Sequence, residues 1–382
     1  MAIDLNVQDS INAINSKARG APVPGRGAGD NALHSARGAM DGPVSRRSVR
    51  PTLETVAREA SVSRQTVSNV LNAPHLVSDG TRRRVEAVIA RTAYRPVRAG
   101  QTLRTRRSYL IAVGLATPAE DRAEVEHRFL HALTERAELR GYRTLLYTAE
   151  NDEAEIRAFE SLLSEHDLDA FVLTGTHIDD ERTAWLYQQA IPFVTFGRPW
   201  RSVAQHSWVD VDGASGVLAA TRHLIGLGHR RVAFLGWPEG SGVGDDRHAG
   251  WLAACDEASL PMDGLVVRME NSLAEGRAAC AQLLQSGDPP TAFVCVSDAV
   301  ALGAWAELTA RGIQPGQQAA VVGFDDSAAA ALVGLSSVAQ PLGEAAVACL
   351  DCLHNLLEQP AGNSSAPERL LLDPRLMLRG ST

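Results

Sequence analysis

Of the 37 basic residues in this 382-residue chain, only Lys17 is a lysine. Almost all the positive charge is therefore arginine, a bias that composition alone does not tie to function. Aromatic residues make up only 5% of the chain, so where they fall is informative. No apolar run reaches the roughly 18 residues that span a bilayer, so no membrane helix is expected. The five cysteines, Cys255, Cys280, Cys295, Cys349 and Cys352, are odd in number and sit in apolar settings. That excludes a disulfide framework and points to reduced thiols. The N-terminus lacks a cationic start followed by an apolar core, so no secretory signal is expected and the cytoplasm is the expected compartment. Catalytic signatures are missing too. There is no HExxH, no nucleophile elbow and no Lys-Ser/Thr after a phosphate loop. The chain is not expected to be an enzyme, and no cofactor or metal is expected.

What the chain does have is uneven charge. Its formal net charge of −8 alone argues against nucleic acid as a partner. Residues 1–44 are neutral on balance. Residues 45–107 carry fourteen arginines against Glu54, Glu59, Asp79 and Glu86, a net of +10, which leaves −18 for residues 108–382. A short basic module is joined to a large acidic one.

Residues 1–49 are rich in Gly, Ala, Ser, Pro and Arg and read as a disordered tail or as residues upstream of the true start. Order is expected from about residue 50. Thr52 is a candidate N-cap for a helix burying Leu53, Val56, Ala57 and Ala60. After a turn at Ser61-Val62, Ser63 can cap a second helix with Val67, Val70 and Leu71 inward. Ser78 can cap a third, with Val85, Val88 and Ile89 inward. This is the helix-turn-helix plan, placed at residues 50–94. Residues 95–107 (RPVRAGQTLRTRR) link it to a different texture. There, about nine short apolar runs alternate with amphipathic stretches such as Glu124–Arg140, Gly213–Leu227 and Asp298–Arg311. Buried strands alternating with helices predict an α/β module at 108–382 with parallel sheets. Nine strands exceed one ordinary sheet, so two subdomains are expected: about 108–208 with 342–369, and about 209–341 with 370–382.

The stretch TLETVAREASVSRQTVSNVLNAPHLVSDGTRRRVEAVIARTAYRP resembles the DNA-binding domain of the lactose-repressor (LacI–GalR) family of bacterial transcription regulators. The resemblance extends over roughly residues 51–380. It implies an N-terminal three-helix helix-turn-helix domain and a hinge. A periplasmic-binding-protein-like module of two Rossmann-like subdomains follows. It also implies that Arg64, Gln65 and Asn69 read bases, while Thr52, Ser63, Thr66, Asn72, Ser78 and Thr81 contact phosphates. The chemistry agrees. Arginine can hold guanine O6 and N7 with two bonds, and glutamine or asparagine can do the same for adenine. In the hinge, Leu103 matches a minor-groove wedge, although Gly100 stands where alanine is usual and weakens a hinge helix. Ser61 stands where the family commonly has glycine, so a strained turn is expected there.

In the second module, HRRVAFLGWPEGSGVGDDRHAGW and CVSDAVALGAWAELTARGIQPGQQAAVVGFDD fit the family's signatures. By position, Arg247 and Asp298 match the pair that commonly holds the effector. Asp298 could also simply cap a helix. Phe196, Trp200, Trp208 and Trp237 lie at or after predicted strand ends, where flat faces suit sugar rings, and Arg198 could add a hydroxyl donor. Core packing for Phe196 and a surface ion pair for Arg198 are equally weighted alternatives. Gly240–Gly244 invites a phosphate-loop reading, with the wrong spacing for either standard motif. Cys349 and Cys352 form a CxxC on a helix, better explained by burial than by zinc.

The resemblance implies a repressor of sugar-metabolism genes. It would be a homodimer on double-stranded operator DNA, controlled by a mono- or oligosaccharide between the two subdomains. The rival is a sugar-binding transport component of the periplasmic-binding-protein type.

Overall fold

The computed structural model describes residues 51–94, 107–115, 123–201, 205–358 and 366–382. The tail expected at 1–49 and nearly all of the hinge, with Gly100 and Leu103, lie outside them. The chain divides into two compact units, 1–96 and 97–382.

The first unit is built on local signals. Helix α1 (Leu53–Glu59) starts at Thr52, whose hydroxyl accepts from the Thr55 amide, while the Thr55 hydroxyl accepts from the Thr52 amide. This reciprocal capping satisfies two of the orphan donors of a helix start. Helix α2 (Arg64–Asn72) is capped by Ser63, which accepts from the Thr66 amide at 3.0 Å. A 3₁₀ turn (Pro74–Leu76) leads to α3 (Asp79–Thr92). Ser78 occupies the N-cap of α3 but makes no capping bond; its hydroxyl donates instead to the Thr81 hydroxyl. Val56, Ala57, Ala60, Val67, Val70, Val85, Val88 and Tyr94 form the core, with Leu53, Leu71 and Ile89 half-buried around it. The tight turn between α1 and α2 puts Ser61 at φ 53°, the left-handed region.

The second unit holds two six-stranded sheets. Strands β1 (Leu110–Leu115), β2 (Arg143–Thr148), β3 (Ala170–Leu173), β4 (Phe193–Phe196) and β5 (Ser207–Val211) form the first, in order β2-β1-β3-β4-β5, with β11 (Arg369–Leu372) beyond β5. Strands β6 (Val232–Gly236), β7 (Val266–Arg268), β8 (Ala292–Cys295), β9 (Ala320–Phe324) and β10 (Ser336–Ala339) repeat that order in the second, with β12 (Arg375–Met377) beyond β10. All strand pairs are parallel except β10–β12. The inner strands β3, β6, β8 and β9 are buried along their whole length, because helices cover both faces.

The helices are α4 (Ala123–Leu139), α5 (Asp152–Glu165), α6 (Glu181–Gln188), α7 (Gly213–Gly226), α8 (Val243–Glu257), α9 (Leu273–Leu283), α10 (Asp298–Ala310), α11 (Ala328–Val333) and α12 (Leu342–Glu358). Helix α8 lies close on α7 because Gly250 has no side chain: a Cβ there would fall 2.1 Å from the Ala214 carbonyl oxygen. This fixes the position of Asp246 and Arg247 one turn earlier.

Two expected boundaries move. The first division was placed at 208, inside β5, yet all of β5 pairs in the first sheet, so the chain crosses after Val211. The second was placed at 369, yet β11 runs to Leu372 alongside β5. The chain passes between subdomains three times, after β5, after β10 and between β11 and β12. Strands β10, β11 and β12 were not anticipated. They are short, and β11 and β12 are largely exposed edge strands.

A left-handed backbone costs a non-glycine residue about 1 kcal/mol, part of which glycine returns as extra freedom when unfolded. Ser61→Gly should therefore stabilise the first unit by about 0.5 kcal/mol, and Ser61→Val should destabilise it. Hydrogen exchange of amides 53–92 in the full chain measures this. Identical protection in all three proteins would remove strain from Ser61.

Candidate functional site

Helix α2 presents the expected base readers on one side. Arg64 and Gln65 are exposed, and Asn69 is half-buried one turn on. The Gln65 amide donates to the Asn69 carbonyl oxygen at 2.9 Å, so the two amides hold each other's orientation. Thr52 and Ser63 accept helix-cap bonds, and Thr66 shares a 2.8 Å bond with Ser63. The Asn72 amide donates to the Ser68 carbonyl, and Thr81 accepts from Ser78.

In the second unit a cavity of about 430 Å³ opens between the two sheets. That is within the usual range for small-molecule sites. Open parallel sheets bind ligands beyond the carboxyl ends of their strands, and the wall follows that rule. Thr174–His177 follow β3, Phe196, Gly197 and Trp200 end or follow β4, and Asp210 and Val211 end β5. From the other subdomain come Trp237 after β6, Asn271 after β7, Phe324 and Asp325 at β9, and Gln340 after β10. Helix α4 adds Glu126 and Phe129, and α8 adds Val243, Asp246 and Arg247.

The wall is well organised. Phe129 and Phe196 stack at 4.3 Å with planes 9° apart. The Arg247 guanidinium lies 3.6 Å over Phe324 and 5.3 Å from Trp237. Arg247 also donates to the Val296 carbonyl at 2.5 Å, with Asp325 at 3.7 Å. The Trp237 indole N–H donates to Asn271. Asp325 and Asp326 both adopt positive φ, 107° and 51°, at the β9 end. Consecutive strained residues cluster at functional sites when surrounding bonds hold them. Here the Asp325 amide donates to Val338, the Gln340 amide to the Asp325 carboxylate, and Arg379 to Asp326. Arg128 on α4 reaches across to the Asp325 and Asp326 carbonyls at 3.3 Å. For His177, burial pulls the pKa down, but the Ile178 carbonyl and the Asp152 carboxylate more than offset it and hold it raised. Asp152, His177 and Asp180 have a metal-like spacing. Arg182 already bonds both oxygens of Asp180 and lies 3.6 Å from Asp152.

Of the expected effector contacts, Phe196, Trp200, Trp237 and Arg247 line the cavity; Arg198, Trp208 and Asp298 do not. Arg198 is committed to carboxylates, donating to Asp210 at 2.7 Å and to Asp246 of the other subdomain at 2.8 Å. Trp208 is the second residue of β5, short of the carboxyl end. Asp298 is outside the cavity wall and is not the cap of its helix. Ser297 caps α10, while Asp298 accepts from the Ser327 amide and the Ser337 hydroxyl, both at 2.6 Å. The acid that faces the cavity from this signature is Asp325. It was overlooked although it ends the run AAVVGFD, where the strand-end rule points. Asp210 and Asn271 carried the same signal; Phe129 and Asp246, in helices, carried none. Cys349 and Cys352 are buried free thiols.

Burial raises the Asp298 carboxyl from 3.8 to about 7, and neighbouring Asp325 adds to this against the bonds from Ser337 and Ser327. Between those values the folded chain holds a proton that the unfolded chain releases. The associated stability is complete below about pH 4 and is lost as pH rises through 7. Urea titrations should show the protein losing stability from pH 5 to 8 relative to Asp298→Asn. Parallel profiles would contradict a buried, proton-holding Asp298.

Comparison with known proteins bears on both units. Residues 52–97 match the family described as "Bacterial regulatory proteins, lacI family", and residues 221–382 match "Periplasmic binding protein-like domain". The HTH-type transcriptional regulator CelR of Thermobifida fusca is 33% identical over 346 residues, covering 87% of this chain and 98% of that protein. A solved structure titled as the transcriptional regulator CelR–cellobiose complex is 30% identical, with a TM-score of 0.65 over 87% of this chain and all of the other. The lac repressor dimer bound to operator and the anti-inducer ONPF is 26% identical, with a TM-score of 0.76 over 87% of this chain and 99% of that one. A chain so similar to these over nearly its whole described length, with the same helix-turn-helix and the same paired sheets, is a transcription regulator of the LacI family.

Proposed function

We propose that the protein is a repressor of sugar-metabolism genes whose operator affinity is set by a sugar in the cavity between its two sheets. The observation that carries this is the make-up of the wall. Flat faces (Phe196, Trp200, Trp237) alternate with hydroxyl-bonding groups (Asp210, Asn271, Asp325, Gln340) at strand ends. Aromatic faces cover the apolar faces of a sugar ring, while carboxylates and amides accept from its hydroxyls. The cellobiose bound by a 30%-identical relative supports the same reading.

On the DNA side, Arg64, Gln65 and Asn69 read bases in the major groove. Thr52, Ser63, Thr66, Asn72, Ser78 and Thr81 hold phosphates. Leu103 is the minor-groove wedge of the hinge. A homodimer presents two such helices to a pseudo-palindromic operator in the bacterial cytoplasm. Leu332 on α11, 87% exposed and followed by exposed Val333, supports a covered apolar face. A transport component has no use for the helix-turn-helix unit.

The test is binding to DNA from the protein's own upstream region, with and without cellobiose, lactose or maltose. Loss or gain of a sequence-specific complex with a sugar supports the reading; no sequence-specific complex at all would sink it. Affinity should fall steeply with salt, by about 0.9 in the log–log slope per phosphate neutralised. Gln65→Ala should cost about 1–3 kcal/mol on the cognate sequence and little elsewhere. A uniform loss on all sequences would make Gln65 a phosphate contact. Asp325→Ala should weaken the effector at least about tenfold through lost hydroxyl bonds while leaving effector-free operator affinity intact. Unchanged effector affinity would remove Asp325 from the site.

A further inference from the structure

The charge arrangement of the cleft bears on which sugars it accepts, a question that rests on the sugar reading above. Phosphorylated sugars bind where backbone amides at a helix start, or uncommitted cations, are offered to the anion. The natural place here is Gly240–Gly244, which leads into α8. That place is filled by the protein's own groups. The Gly240 amide donates to the Asp245 carboxylate at 2.8 Å, and the Gly244 amide to the Ser241 hydroxyl at 3.1 Å. Asp245 and Asp246 both stand in the first turn of α8, so the helix dipole already faces two negative charges.

Among the described residues, the cations near the cavity are likewise committed. Arg198 bridges Asp210 and Asp246. Arg247 bonds the Val296 carbonyl and lies 3.6 Å over the Phe324 ring. The two ring nitrogens of His177 bond the Ile178 carbonyl and the Asp152 carboxylate, each at 3.0 Å. Against these, four carboxylates belong to the described wall: Glu126, Asp210, Asp246 and Asp325.

One neutral donor of the wall is left over. The indole Nε1 of Trp200 is buried, has no hydrogen-bond partner among the described residues and belongs to a side chain that lines the cavity. Its ring packs so closely on Gly242 of the facing subdomain that a Cβ there would fall 2.7 Å away. Such a donor suits a hydroxyl or ring oxygen and has no charge with which to hold a phosphate.

We propose that the cleft selects an uncharged sugar and rejects its phosphorylated counterpart, with Asp246 the main source of the rejection and the Trp200 N–H a donor to the accepted ligand. Rejection by an unfavourable charge is a common source of specificity, and it acts here from both subdomains.

The experiment is calorimetry on the full chain with cellobiose, lactose and maltose, each against its 6-phosphate. A bound neutral sugar is expected to exceed its phosphate by at least about 100-fold. Asp246→Asn removes one negative charge and loosens Arg198. It should narrow that ratio by about tenfold, chiefly by tightening the phosphate. Trp200→Phe keeps the flat face and removes the donor, and should weaken the neutral sugar by about tenfold. A 6-phosphate that binds the unmodified protein as tightly as its parent would overturn the proposal and leave the sugar reading standing. If neither form of any sugar binds, the sugar reading itself falls, and this proposal with it. The comparison on the unmodified protein depends on no variant folding.

Discussion

Burial of both faces of each parallel sheet is the constraint from which the second unit follows. With helices packed on both sides, strands such as β6, β8 and β9 offer a ligand nothing along their length. Only their ends are open. Because both sheets have the same strand order, their carboxyl ends can face each other, and the residues just past those ends become the two walls of one cavity. The aromatic faces, the strained Asp325–Asp326 pair and the glycine loop before α8 all sit there.

Charge holds the walls in register. Arg198 takes one carboxylate from its own subdomain and one from the other. Burial raises the pKa of both Asp210 and Asp246, partly countered by Arg198 itself. A partly buried bridge of this kind adds little net stability once desolvation is counted, but losing one partner is costly. It therefore fixes how the two halves meet more than it fixes how firmly they fold. Further out, Arg128 and Glu124 on α4 make the same kind of crossing to the start of α11.

The legible parts of this chain were those decided within a few residues. The caps at Thr52 and Ser63 and the left-handed turn at Ser61 each depend on neighbours no more than four positions away. Buried strands announced themselves as apolar runs, and strand ends located much of the cavity. Expectation and structure part where distant segments decide. Ser336 and Ser337 are fully buried, which their side chains do not suggest. They are tolerated because Arg379 and Thr382 partner the Ser336 hydroxyl and Asp298 accepts from that of Ser337, each about 40 residues away. The same packing turned Asp298 inward and left Asp325 facing the cavity. Motif position alone does not distinguish two aspartates 27 residues apart; the pairing of β9 with β10 does. The commitment of Arg198 depended on Asp246, a residue inside a helix with no sequence cue of its own.

The three chain crossings carry a mechanical consequence. Two bodies joined by one strand can swivel freely; joined by three neighbouring strands, they keep essentially one soft motion, opening and shutting about the line of the crossings. Val211 precedes the first crossing and Gln340 lies within the second, and both are part of the cavity wall. A molecule in the cavity thus rests against the pivot itself, at the short end of a lever whose long end is the rest of each subdomain. Small adjustments at the ligand become larger displacements at the far ends of the two halves, without a relay of intermediate residues to carry them.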